Sequence, residues 1–159
     1  MSLTSMSRGY PVVFLIALCL PGCSRHDGID RVPITGLITV QGAPLDFASV
    51  QFTPLGSETM PGALGVSDAN GRFDVISSRR DDPGIPPGEY LVTVNRWANP
   101  DGKALGPNAT QADNPLAAET IPAPYSGPAS PLRAMISKEG GEVKLDIPVK
   151  LLNQKKPKS

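Results

Sequence analysis

The sequence is poor in reactive side chains. Among 159 residues there are one histidine (His26), two cysteines (Cys19 and Cys23), one tryptophan (Trp97) and 5% aromatics in all. So few imidazoles and thiols leave no set of ligands for an ordinary zinc site and no base for a His-dependent triad in the body of the chain. Lys plus Arg and Asp plus Glu number fifteen each, so no excess of positive charge marks a nucleic-acid partner. A Gly-x-Ser-x-Gly elbow, a Gly-rich phosphate loop and a His-Glu-x-x-His helix are all missing from the sequence. What is plentiful is chain-breaking: 16 Gly and 18 Pro, against a usual ~12% for the two together. That composition works against long helices. The length suits one domain.

Residues 1–22 read as an export segment. Arg8 is its only charge, the apolar run Val12 to Leu20 follows, and Pro21-Gly22 end it. The run falls short of the ~20 apolar residues that a spanning helix needs. Leu20-Pro21-Gly22-Cys23 resembles the bacterial lipobox, with a departure at Pro21, where a small or β-branched residue is usual. The resemblance implies cleavage before Cys23 and lipidation of its thiol, and two or three acyl chains anchor stably where one holds only marginally. Ser24 is the kind of residue that, after a lipidated Cys, directs Gram-negative lipoproteins to the outer membrane, facing the periplasm or the surface. Cys19 leaves with the leader, so no disulfide is expected. Residues 23–32 are the lipidated terminus and a polar tether in which His26 is solvated.

From residue 33 the pattern alternates with a period of two, the signature of strands with one buried face. Ile34, Gly36, Ile38 and Val40 share a face. Ala48, Val50 and Phe52 share another, and these two segments are expected to pair as a hairpin. Leu64 and Val66 lead to the turn Asp68-Ala69-Asn70-Gly71, after which Phe73 and Val75 continue. Tyr90, Val92 and Val94 alternate in a strand running to about Trp97. Leu132, Ala134 and Ile136 form a sixth, and Val143 to Leu151 a seventh, with Pro148 favouring an edge. Residues 98–131 hold seven prolines and no sustained period, and read as one long surface loop. The expected fold is all-β, a seven-stranded antiparallel β-sandwich over residues 33–151, followed by a basic tail at 152–159. Its expected core is Ile38, Val50, Phe52, Val66, Phe73, Val92, Val94, Ile136, Leu145 and Ile147.

Five segments in order resemble one family. These are Ile34-Thr35-Gly36-Leu37-Ile38-Thr39-Val40 with Gly42-Ala43-Pro44-Leu45, then Ala48 to Pro54, then Ser67-Asp68-Ala69-Asn70-Gly71-Arg72-Phe73. Pro87-Gly88-Glu89-Tyr90 follows, and last come Ile121-Pro122, Tyr125 and Ser130-Pro131-Leu132. Together they resemble the carboxypeptidase regulatory-like, transthyretin-related β-sandwich modules in the lipoprotein form of planctomycete bacteria. The resemblance implies a transthyretin (prealbumin)-like sandwich with no catalytic residues, cofactor or metal, serving as a structural or protein-interaction module. Its expected partners are the membrane, through the lipid, and protein or polysaccharide of the cell envelope.

Three groups of residues invite chemistry. Asp68, Asn70 and Asp74 put oxygens around a turn but lack the spacing of a calcium loop, and Asp68 is better placed to bond its own turn. Asp81, Asp82 and Glu89 adjoin a Pro-rich exposed stretch and read as solvated charge rather than a glycosidase pair. Trp97 and Tyr125 are the candidate ligand-facing aromatics. Stacked on sugar rings they would make a carbohydrate-binding module, the second reading of function, with a small hydrolase as the third. In the simpler alternative, Trp97 packs under residues 98–131 and holds that loop down.

Overall fold

The computed structural model describes residues 28–56, 59–77 and 83–152. The leader, Cys23, the tether as far as Asp27, Asp81, Asp82 and the basic tail from Asn153 lie outside the described residues. Among the described residues ten strands occur in chain order: β1 (Ile34–Val40), β2 (Ala43–Pro44), β3 (Ser49–Pro54), β4 (Ala63–Val66), β5 (Arg72–Ser77), β6 (Gly88–Asn95), β7 (Trp97–Ala98), β8 (Ala118–Glu119), β9 (Arg133–Ile136) and β10 (Gly141–Ile147). No helix appears among the described residues. Seven strands follow one path, β10-β1-β5-β4-β3-β6-β9, with the short β2 added to β1 and with β7 and β8 paired separately. The sheet curls into a half-barrel.

The curl has a local cause in β5. Its first half pairs with β1 (Thr35 opposite Asp74, Gly36 opposite Phe73), and its second half pairs with β4 (Gly65 opposite Val75). A strand shared in this way joins two arms of the sheet, and the twist between adjacent strands lets the arms diverge. Phe73 sits at the corner where they join. A Cβ on Gly36 would lie 2.1 Å from the tip of its ring and one on Gly65 would lie 2.7 Å from the ring edge, so the aromatic occupies space that only glycines leave open. Phe52 and Tyr90 stand on either side of the middle of the core, their ring centres 6.2 Å apart, and Phe73 lies 6.2 Å from Phe52. Ile38, Val50, Val92, Val94, Ile136, Leu145 and Ile147 complete the buried face.

Four expectations change. The first and last strands run parallel, not antiparallel, in register from Ile34 opposite Gly141 to Val40 opposite Ile147; the remaining pairs along the path are antiparallel. β1 and β3 do not form a hairpin, because β2 folds back on β1 while β3 lies between β4 and β6. Val66 is not core: it is 39% exposed, as is Leu64 at 46%. The inward positions of β4 are Ala63 and Gly65, and at Gly65 the Phe73 ring fills the space a side chain would take. β10 ends at Ile147, so Val149 and Leu151 continue beyond the ladder. Pro148 follows immediately after this strand, which closes one edge of the sheet.

Residues 98–131 are also more organised than a featureless loop. β7 pairs with β8 (Trp97 opposite Glu119), Ala98 bridges to Ala104, and Ala117, Ile121 and Ser130 are buried. Val94 N–H donates to the Tyr125 carbonyl at 3.0 Å and Thr120 N–H to the Arg96 carbonyl at 2.8 Å. These bonds return the excursion to the end of β6.

Candidate functional site: a groove between Phe47 and Trp97

The strand register places three side chains in one outward row. Ser49 lies opposite Val66 on one side and Asn95 on the other. They form the floor of a groove of about 310 Å³. Phe47 and Trp97 contribute walls, and Leu105, Gly106, Pro107, Ala109 and Gln111 of the excursion close it. The excursion is fastened here by Leu105 N–H donating to the Trp97 carbonyl at 2.8 Å.

Beside the groove a polar network centred on the buried Arg96 ties down the residues next to both aromatics. Arg96 is only 4% exposed. Its Nε and Nη2 donate to Asp46 Oδ1 at 3.0 and 2.8 Å, and its Nε also reaches the Asp46 carbonyl at 3.1 Å. Its Nη1 donates to Thr120 Oγ1 at 3.3 Å and Nη2 to the Gly102 carbonyl at 3.4 Å. Glu119 accepts from the backbone N–H of Arg96 (2.9 Å) and Ile121 (2.8 Å) through Oε1, and from Asn95 Nδ2 (2.8 Å) through Oε2. A buried guanidinium with its donors spent in this way holds three segments in one geometry.

Phe47 shows what the network maintains. Its φ is +49°, the left-handed region that a bulky residue enters at a cost of ~1–3 kcal/mol. Such a conformation persists only where the surroundings over-determine it. Here they do. Asp46 is held by Arg96, and Ala48 N–H donates at 2.9 Å to the buried Ser67 Oγ, which donates in turn to the Leu45 carbonyl at 2.7 Å. The residue between these clamps turns its side chain into the groove.

Trp97, half-exposed at 37%, is therefore in a cleft. Tyr125 is not beside it: that ring packs against the core. Trp97 shares the lining of a groove with Phe47 instead. Asp68 Oδ1 accepts from Asn70 N–H (2.7 Å) and Arg72 N–H (2.9 Å), and these bonds hold its carboxyl below the usual carboxylate range. Among the described residues no group of three or more His, Cys, Asp or Glu side chains could hold a metal ion. Glu89 is exposed on β6, opposite Met135.

Sequence reasoning missed Phe47, Asp46, Arg96 and Glu119. One signal was present: Arg96 continues the inward alternation of Tyr90, Val92 and Val94, so a charge falls where an apolar residue is due. Phe47 gave none, since its positive φ is imposed by neighbours distant in the chain. No family model, no curated protein and no solved structure matches this chain.

Proposed function

We propose that this chain is an exported, lipid-anchored β-module of the cell envelope with a binding or structural role and no catalytic one, contacting its partner through the groove between Phe47 and Trp97. The observation that carries the reading is the make-up of that groove. Ten residues line it, none of them Asp, Glu, His, Cys, Lys or Arg. Among these residues no acid or base stands by to activate the one hydroxyl, that of Ser49, and such a surface suits recognition. The ion pairs and carboxylate bonds nearby are spent on holding the walls rather than offered to a substrate.

The anchoring half of the proposal rests on Leu20 to Cys23. Full-length protein made in a Gram-negative host should partition into detergent with an acylated Cys23 as its first residue, and Cys23→Ala should accumulate unprocessed or soluble. An intact mass beginning at Ser24 or later in the wild type would remove the anchor. For the binding half, the test is photo-crosslinking from position 111 in envelopes. A discrete adduct lost on Trp97→Ala supports it, and no adduct of any kind counts against it.

We also propose the finer fold, a transthyretin-related sandwich in which the β10-β1-β5 arm faces the β5-β4-β3-β6-β9 arm. The partner change within β5 supports it, because a strand shared by two arms lets one sheet fold over its own core. An experimental structure with the arms stacked ~10 Å apart would establish it, and an open sheet would refute it.

A further inference from the structure

We infer that the groove between Phe47 and Trp97 is a binding site for an uncharged saccharide. The inference rests on the binding-module reading and names its ligand.

Three observations define that ligand. The first is charge: among the described residues that line the groove none is ionisable, so they offer nothing to neutralise a phosphate, carboxylate or ammonium group. A charged ligand would lose water without gaining a counter-charge. The second is the aromatic walls. Phe47 and Trp97 both line the cleft, and aromatic rings present flat apolar faces, which suit the C–H faces of a pyranose as they suit other flat apolar surfaces. The third is hydrogen-bonding capacity not used by the fold. The Ser49 hydroxyl, the Gln111 amide and the Trp97 indole N–H have no hydrogen-bond partner among the described residues, whereas Asn95 has committed its Nδ2 to Glu119 and retains its Oδ1. A purely apolar peptide side chain seated here would strip these groups of water and leave them unsatisfied, at ~1–3 kcal/mol each. A sugar brings hydroxyls that donate and accept on its rim and C–H groups on its face, and so meets both kinds of wall.

The size agrees. At about 310 Å³ the groove stands at the lower end of small-ligand clefts, ~300–1,000 Å³, with room for a sugar ring or two of a longer chain passing through its open side. The strained Phe47 backbone and the Arg96 network beside it give the walls a fixed spacing before any ligand arrives, which lowers the ordering cost of a weak, solvent-facing interaction.

The chain's single tryptophan is in the groove, so its emission reports the site alone. Full-length protein in detergent micelles would be titrated with three neutral hexasaccharides, of β-1,4-linked glucose, α-1,4-linked glucose and β-1,4-linked N-acetylglucosamine, and with a sulfated hexasaccharide. A saturable change in Trp97 emission with at least one neutral sugar, exceeding that with the sulfated one, is the expected result. By calorimetry, Trp97→Ala should weaken that binding about tenfold or more, the equivalent of ~1.4 kcal/mol, and Gln111→Ala about threefold or more, with thermal midpoints of both variants near the wild type. Tyr125→Phe, away from the groove, should bind normally. Silence from all three neutral sugars up to about 10 mM, preference for the sulfated sugar, or affinity unaffected by Trp97→Ala overturns the saccharide assignment. If the sugars are silent while a protein adduct from position 111 disappears in Trp97→Ala, the saccharide falls and the binding module stands. If neither responds, both fall.

Discussion

The corner of the sheet allows a test in which one substitution changes sign with its background. Phe73 is 4% exposed and its ring covers Gly36 so closely that a methyl there would lie 2.1 Å from Cζ, against the ~3.5–4.0 Å of a carbon–carbon contact. In the wild type, Gly36→Ala therefore forces the ring aside by about 1.5 Å or bends β1, which β5 and β10 hold from both sides. Overpacking of this kind costs ~1–3 kcal/mol. Phe73→Ala alone leaves a cavity and should cost ~3–5 kcal/mol. In that background the space above Gly36 is empty, and the same Gly36→Ala becomes neutral or stabilises by up to ~1 kcal/mol, since alanine restricts the unfolded chain more than glycine does. The double variant should thus be more stable than the sum of its parts by ~1–4 kcal/mol. Urea unfolding followed by circular dichroism reads all four corners of the cycle, with Lys144→Ala as a surface reference expected within ~0.5 kcal/mol of wild type. Equal costs for Gly36→Ala in the two backgrounds would show that Phe73 does not pack over Gly36 and that the corner is built differently.

Gly71 has φ +74° and an added Cβ would lie 2.4 Å from the Ile38 carbonyl oxygen, so Gly71→Val should lower the urea midpoint well beyond the effect of a surface change, and a midpoint within ~0.5 kcal/mol of wild type would refute the turn. Arg96→Ala removes the guanidinium from Asp46, Thr120 and Gly102; because Asp46 is partly exposed and water can replace some of the contact, the expected loss is ~1.5–3 kcal/mol, with Trp97 emission shifting as the groove wall loosens. An unshifted emission would separate the network from the groove. Burial pushes the Tyr90 phenol up to about 12, and its hydroxyl donates to the Pro86 carbonyl at 2.8 Å, a bond that the phenolate cannot make. A folded pKa above the unfolded ~10 means stability present below pH 10 and lost as pH rises from 10 towards 12. Tyr90→Phe should flatten that alkaline fall while costing ~0.5–1.5 kcal/mol at neutral pH, and an identical alkaline profile in both proteins would refute the assignment.

Much of the fold was legible because burial in a strand has a period of two. That period, read through Ile34, Val50, Phe52, Tyr90, Val92, Val94, Leu145 and Ile147, places the seven main strands and most of the core, since each of those side chains must leave water on one face. The turn at Asn70-Gly71 was equally local: a positive φ there belongs to glycine itself. Val66 was misread because its alternation was correct and its phase was not. Which face of β4 is inner depends on Phe73 reaching over Gly65 from the neighbouring strand, and no window on β4 alone contains that fact. The parallel closure of β1 on β10, the change of partners within β5 and the burial of Arg96 between Asp46 and Thr120 likewise join residues far apart in the chain. The groove is the extreme case. Its floor comes from β3, β4 and β6, one wall is a phenylalanine held at positive φ by Ser67 and Arg96, and the rest comes from an excursion without a period. Local propensity fixes which residues want to be strand and which want to leave water; only the tertiary structure decides which outward side chains meet, because that depends on register and on polar clamps between distant segments.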